Sequence, residues 1–251
     1  MENKPFVTVH TVTYNEEVLI KFFIDHYRKK FPGCIIKIWD NYSTDSTVEI
    51  AKSLGCEIFY YDSEGFFDER FKNKVQNECW KDASTEWSVV CDCDELIDID
   101  QEELQRIDYQ RHNLVRFQGY TLVNRNDQID LHGMNMGFKD DAYGKPYLFK
   151  NSEIKDMNYC LGCHFAKPVL RENQSLSSTE KVYNAYHYKY LSYEYSINRR
   201  KLWASRLSEW ARKAGASFEV IATREHLEKN NLLHLDLEHI FNDQELIQVI
   251  Q

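Results

Sequence analysis

The first hundred residues repeat one unit four times: an apolar or β-branched run, a polar turn, then a helical stretch. Phe6 to Val12 is the first run, and behind it Val18, Leu19, Phe22, Phe23 and Tyr27 recur at helical spacing. Asn15-Glu16-Glu17 offers that helix a cap and an acidic first turn, Arg28-Lys29-Lys30 suits its negative end, and Pro32-Gly33 stops it. Cys34 to Trp39 reads as the second strand. The turn Asp40 to Asp45 then leads to a short helix through Ala51, with Gly55 in the position of a helix C′ residue. Glu57 to Tyr61 is the third strand and about Glu69 to Ala83 a longer helix. Trp87 to Cys91 is a strand that ends abruptly in Asp92-Cys93-Asp94-Glu95.

Strands alternating with helices at this spacing predict an α/β fold, with right-handed crossovers and a mostly parallel central sheet flanked by helices. Ligands bind such sheets at the carboxyl ends of the strands. Three polar clusters fall at those ends, Thr11 to Glu17, Asp40 to Asp45 and Asp92 to Glu95, which predicts one site on one rim. Beyond Glu95 the alternation fails. Asn113 to Gly119 and Tyr147 to Lys150 read as strands, Leu122 to Gly144 as loop-rich, Ser192 to Ala214 as a helix with several basic residues, and Ile221 to Ile250 as helical. The expected organisation is a single domain over 1–251. Residues 1–98 are its ligand-binding half, 99–190 a mixed second half, and 191–251 a helical C-terminal segment.

Composition removes several classes. Nine Gly and four Pro in 251 residues, with 43% hydrophobic residues, exclude collagen-like and low-complexity chains. A net charge of −9 disfavours nucleic acid or an anionic membrane as partner. No apolar run reaches the roughly 20 residues of a transmembrane segment, and Met1 to Pro5 lacks the features of a signal peptide. A cytoplasmic location is expected, with the seven Cys as reduced thiols.

Along an extended segment residues two apart point the same way, so Asp92 and Asp94 can share a cation. Mg²⁺ or Mn²⁺ uses one or two protein carboxylates and leaves other positions for substrate phosphates. An acidic rim needs such an ion to receive a diphosphate, because two like charges about 4 Å apart at an effective dielectric of ~20 repel by around 4 kcal/mol.

Thr13-Tyr14-Asn15-Glu16, the turn Asp40-Asn41-Tyr42-Ser43-Thr44-Asp45-Ser46-Thr47, Asn77 and Cys91-Asp92-Cys93-Asp94-Glu95 together resemble, in order and spacing, family 2-like glycosyltransferases with the Rossmann-like GT-A fold. The likeness covers about residues 6 to 98. Further on, Lys145-Pro146-Tyr147-Leu148-Phe149, Gly162-Cys163-His164 and His187-Tyr188 look like a subgroup in which D-x-D-E precedes a K-P-x-L-F stretch and two histidine motifs. The resemblance implies that Thr13, Tyr14 and Glu16 lie near a nucleoside and that Asp40 or Asn41 reads its base, although both also suit turn capping. It implies Asp92 at ribose or metal, Asp94 at the metal, and His187 completing the metal shell. Where many relatives carry Arg just before the Asn77 position this chain has Gln76, so a diphosphate contact is lost or passes to Arg70, Lys72 or Lys74. His164 is a candidate for metal or acceptor.

The activity so implied is metal-dependent transfer of a sugar from a UDP- or GDP-linked donor to a hydroxyl of a glycan or other acceptor, with Mn²⁺ or Mg²⁺ as cofactor. An inverting reaction needs a carboxylate base near that hydroxyl, and Asp140 and Asp141 are the nearest candidates after the D-x-D. Cys160 to His164 also matches C-x-x-C-H, but haem attachment requires export and a zinc site a second Cys pair. The basic residues between Ser192 and Arg212 read as a solvated face ahead of a diphosphate site. Two alternatives stand: a catalytically silent nucleotide- or carbohydrate-binding protein, and a nucleotidyltransferase. The latter calls for a Gly-rich loop after the first strand, and His10 to Glu17 has no Gly.

Overall fold

Every residue of β1 (Val7–Thr13) is buried, which marks it as an interior strand of the sheet. It pairs in parallel with β2 (Ile35–Asp40) on one side and β4 (Trp87–Asp92) on the other, and β3 (Glu57–Tyr60) extends the parallel part beyond β2. The computed structural model describes residues 6–215 and 236–250. Register sets the rim: Thr13 lies opposite Asp40, and Val12 opposite Asp92.

The crossover helices are α1 (Ile20–Lys30), α2 (Thr47–Ser53) and α3 (Glu69–Glu78). α1 buries Ile20, Phe23, Ile24 and Tyr27 in a cluster with Val9, Ile38 and Trp87. A second cluster, with Trp80, Phe149, Met157 and Tyr159, lies beside α3. Full burial of such side chains contributes roughly 1.5–3 kcal/mol each.

α1 starts later than its polar leader predicts. Asn15, Glu16 and Glu17 do not cap it; the N-cap is Leu19, with no side-chain bond. Their backbone N–H groups instead donate to Ser43, Thr47 and Asp45, so the leader is spent on joining the rim's first two turns. α3 ends at Glu78, five residues before the expected Ala83.

After β4 the chain turns back at once into β5 (Glu95–Asp98) and α4 (Gln101–Tyr109). β6 (Leu114–Val123), β7 (Met136–Lys139) and β8 (Leu148–Lys150) add an antiparallel half to the sheet, with β8 against β4. β6 and β7 thus reach into the stretch expected to be loop. β9 (Ile154–Asp156) and β10 (Val169–Leu170) form a separate ribbon. The long strand β11 (Ser178–Tyr190), absent from the sequence reading, runs parallel to β6 and antiparallel to β5, and places His187 beside both Thr121 and Glu95.

The helix expected over Ser192 to Ala214 is two: α5 (Tyr193–Arg206) and α6 (Glu209–Ala214), broken where Leu207 turns extended and Ser208 caps the new start. Much of the helical pattern expected over Ile221 to Ile250 lies outside the described residues. Of the rest, α7 (Leu237–Asn242) is helical, whereas Ile247–Gln248 is β12, paired with β7. All seven Cys are free, and no described helix is long and apolar enough to cross a membrane.

Candidate active site

The D-x-D is not a continuous strand. β4 stops at Asp92, Cys93 and Asp94 make a two-residue turn, and β5 begins at Glu95. Buried Cys93 anchors the turn, and Asp92 and Asp94 on either side of it both face the cleft all the same. Oxygens of Asp92, Asp94 and Glu95 lie within 4.8 Å of one another, the sole such cluster among the described residues.

The three carboxylates have different tasks. Glu95, 1% exposed, accepts from Lys145 Nζ at 2.5 Å and from the Asp92 N–H at 3.0 Å, and so braces the turn from inside. Despite burial, Glu95 and Asp92 keep the Lys145 ammonium protonated. Asp92 accepts from Lys72 Nζ at 2.7 Å and Gln76 Nε2 at 3.0 Å, which occupies both its oxygens. Asp94 Oδ2 stands 3.3 Å from His187 Nε2. Burial pushes the Asp94 carboxyl up, but His187, Lys72 and Lys145 outweigh it and hold its pKa at about 2.

This pair passes a geometric test for a hard dication. Adjacent ligands on an octahedral ion with bonds of 2.0–2.1 Å lie about 3 Å apart. The imidazole is also set up for it. Thr121 Oγ1 donates to Asp140 Oδ2 at 2.8 Å and so can only accept from His187 Nδ1, a long contact of 3.4 Å. With Nδ1–H facing Thr121, release of the Nε2 proton to solvent when a cation binds would leave Nε2 its lone pair as a ligand. Tyr143 stacks on the imidazole at 3.7 Å between centroids.

On the β1–β3 side the sequence candidates divide. Asp40 is fully buried and accepts from Thr13 Oγ1 at 3.0 Å, Ser43 N at 2.8 Å and Ser43 Oγ at 2.5 Å; it holds the turn, and neither it nor Thr13 lines the cleft. Tyr14, Glu16 and Asn41 do line it. α5 supplies partners that the sequence reading treated as a solvated face. Arg199 pairs with Glu16 and donates to Asn15 O at 2.7 Å. Arg206 lies over the Tyr14 ring at 3.3 Å and donates to Asn41 Oδ1 at 2.7 Å, while Trp203 stacks on Phe67. Helical spacing of Arg199, Trp203 and Arg206 is the signal that could have found them.

Lys74 is exposed and outside the cleft; helical geometry turns Lys72 inward instead, where burial opposes its charge but Asp92 and Glu69 hold the ammonium protonated. Asn77 does not reach the cleft either. It donates to Asn73 O at 3.0 Å and accepts from Tyr159 N at 2.8 Å, tying α3 to the segment after β9. Gln76 bridges Asp92 and Cys163 Sγ.

Of the two expected bases, Asp141 is exposed, paired with Lys139 and Gln118, and turned away from the cleft. Asp140 caps the one-turn helix Asp141–Tyr143 and orients Thr121. Gly119 of β6 makes room for this turn, since a Cβ there would meet the Tyr143 carbonyl carbon at 2.3 Å. His164, which follows the one-turn segment Leu161–Cys163, does face the cleft, whose volume is about 440 Å³.

Comparison with known proteins accords with this arrangement. The family model described as Glycosyl transferase family 2 matches residues 8–160. An uncharacterized glycosyltransferase of Rickettsia typhi is 26% identical over 221 residues, covering 84% of this chain and 70% of that protein. Another, of Rickettsia prowazekii, is 26% identical over 208 residues, covering 79% and 65%. The crystal structure of S. aureus TarS aligns with a TM-score of 0.46 at 15% identity, over 96% of this chain; the chain spans 44% of TarS. With a family match over more than half its length, and the acidic turn and parallel sheet where that match falls, this chain belongs to glycosyl transferase family 2.

Proposed function

We propose that the chain moves a sugar from a nucleoside-diphosphate donor to a hydroxyl acceptor, using a divalent cation that Asp94 and His187 would hold. The reading rests on one observation above all: a carboxylate oxygen and an imidazole nitrogen 3.3 Å apart at the mouth of a cleft that also presents Lys72. The cation, Mn²⁺ or Mg²⁺, supplies positive charge for the departing diphosphate. The chain's own groups do the rest. Lys72, already protonated, neutralises phosphate oxygens, Asp92 keeps Lys72 in place, and Tyr14, Glu16, Asn41 and Arg206 receive the nucleoside. The base is uracil or guanine. The antiparallel half, from β6 to the loop after β9, forms the acceptor side.

The test is thermal denaturation with UDP and with GDP, each with and without Mn²⁺, together with release of nucleotide from UDP- and GDP-sugars. A ligand at a hundred times its Kd stabilises the native state by about 2.7 kcal/mol. Stabilisation that needs Mn²⁺ is expected in the wild type, and Asp94→Asn should abolish the Mn²⁺ dependence and lower turnover at least 100-fold. Unchanged Mn²⁺-dependent turnover in the variant would refute the role of Asp94. Nucleotide binding without turnover in the wild type would favour a silent binding protein.

A further inference from the structure

We infer that His164 is the general base that takes the proton from the acceptor hydroxyl, an assignment that rests on the glycosyl-transfer reading above. The carboxylates that line the cleft are committed elsewhere. Glu16 pairs with Arg199, Asp68 with Arg70, Asp92 with Lys72 and Asp94 with His187. Glu69 forms no such ion pair among the described residues and, like Glu16, has one buried oxygen without a hydrogen-bond partner, but it precedes Lys72 by one turn of α3 and shares that ammonium's field. On the acceptor side Asp141 points away and Asp140 is taken by Thr121 and the Ala142 N–H.

His164 has the geometry the task requires. Its Nδ1 lies 2.7 Å from the Ala142 carbonyl oxygen, which can only accept, so Nδ1 carries the proton and Nε2 is left with a lone pair. Gly162 and Cys163 both adopt positive φ, +72° and +56°, and fold the loop so that the imidazole rests on Gly162. A Cβ on Gly162 would meet Nε2 at 2.7 Å, so only glycine allows this placement. The ring meets Tyr143 edge-on, and Tyr143 in turn stacks on His187, so one aromatic ring separates the base from the cation pair. Leu161, half-exposed, lines the cleft beside it as an apolar support for an acceptor. The charged and titratable groups around His164 are Tyr143, Lys145, Lys72 and Asp92. Although the residue is exposed, partial removal of its ring from water, then Lys145, moves its pKa down from 6.5.

In the step so assigned, the acceptor oxygen forms a bond to the sugar's anomeric carbon while the bond from that carbon to the diphosphate oxygen breaks. The bonding pair leaves with the nucleoside diphosphate, the hydroxyl proton passes to Nε2, and the imidazolium later gives it to solvent. Attack opposite the leaving group inverts the anomeric centre.

The experiment uses water as the simplest hydroxyl acceptor and azide as an anionic nucleophile that needs no base. The full chain with Mn²⁺ is given UDP-glucose, UDP-N-acetylglucosamine and GDP-mannose, and nucleotide release is followed with and without sodium azide. H164N should lower release at least 100-fold, keep the affinity for the nucleoside diphosphate within twofold, and regain rate with azide by forming the inverted glycosyl azide. Wild-type release should decline toward acid pH, and this decline should be absent from the azide reaction of H164N. If H164N does not fold, H164Q carries the same expectations. Unchanged release in a folded variant, or a loss that azide does not restore, overturns the assignment. So does an azide-reversible loss in E69Q in place of H164N. A wild type that binds nucleotide and Mn²⁺ but releases nothing overturns the glycosyl-transfer reading itself.

Discussion

Lys72 is the residue on which charge balance in the cleft turns. An acidic chain can receive a diphosphate only where local cations outweigh its carboxylates, and Lys72 is half-buried, protonated and 2.7 Å from Asp92. If it shifts from Asp92 to a phosphate oxygen on binding, the contact is a charge-assisted hydrogen bond of about 1.5–3 kcal/mol. Lys72→Ala should therefore weaken UDP or GDP binding by tenfold or more in calorimetry while leaving the parent nucleoside unaffected; equal losses for both would show that Lys72 shapes the pocket without touching phosphate. Sequence spacing named Asp92 and Asp94 as a pair that can share a cation, and the family resemblance added His187; the fold brings all three to one cleft. The sequence left Lys74 standing beside Arg70 and Lys72 as a candidate for a simple reason. Positions two apart on a helix diverge by 200°, and only the cleft's direction, unknown before the fold, says which one faces inward. The same holds for Asp40. Its residue type suits both a turn and a base edge, and Thr13 and Ser43 decide for the turn.

At the level of elements, the parallel half was readable because each strand and helix there is local, bounded by its own turn residues. β11 was not. Its alternating Tyr, Asn and Lys residues gain meaning only from lying between β5 and β6, a pairing across more than sixty residues. Yet β11 delivers His187, and β6 delivers the surface on which the Asp140–Gly144 turn rests. That surface works because of glycine: a Cβ at Gly119 would lie 2.3 Å from the Tyr143 carbonyl carbon, and one at Gly144 2.8 Å from Phe117 O. Gly119→Ala is expected to lift the turn, destabilise the protein by about 1–3 kcal/mol as overpacking does, and displace Tyr143 from His187. Turnover should fall while nucleoside affinity holds, since Tyr14 and Asn41 sit just past the ends of other strands, β1 and β2. Thermal denaturation and calorimetry with the nucleoside check both; unaltered turnover would detach the turn from the site.

For the whole molecule, acid should act through buried histidine before it acts through carboxylates. Burial, aided by Lys37, lowers His10 from 6.5 to about 3. Burial also lowers His26 to about 4, against the hydrogen bond to Ile97 O that supports its charge. Above pH 6.5 these rings are neutral in the folded and the unfolded chain alike, and they impose no penalty. Below pH 6.5 the unfolded chain takes up protons that the folded chain refuses, so stability declines as pH falls, until His26 protonates near 4 and His10 near 3. Linkage makes the cost about 2 kcal/mol for each histidine at pH 5. The lowered carboxylates Asp68 and Glu103, each held at about 2 first by a hydrogen bond from Arg70 or Lys181, add their loss only below their ordinary values of 3.8 and 4.5. Urea titrations should therefore show an unfolding midpoint that is level from pH 8 to about 6.5 and falls from there to pH 5. His26→Gln, whose amide can still donate to Ile97 O, should remove about half of that fall; an unchanged slope in this variant would mean that other groups drive the acid response.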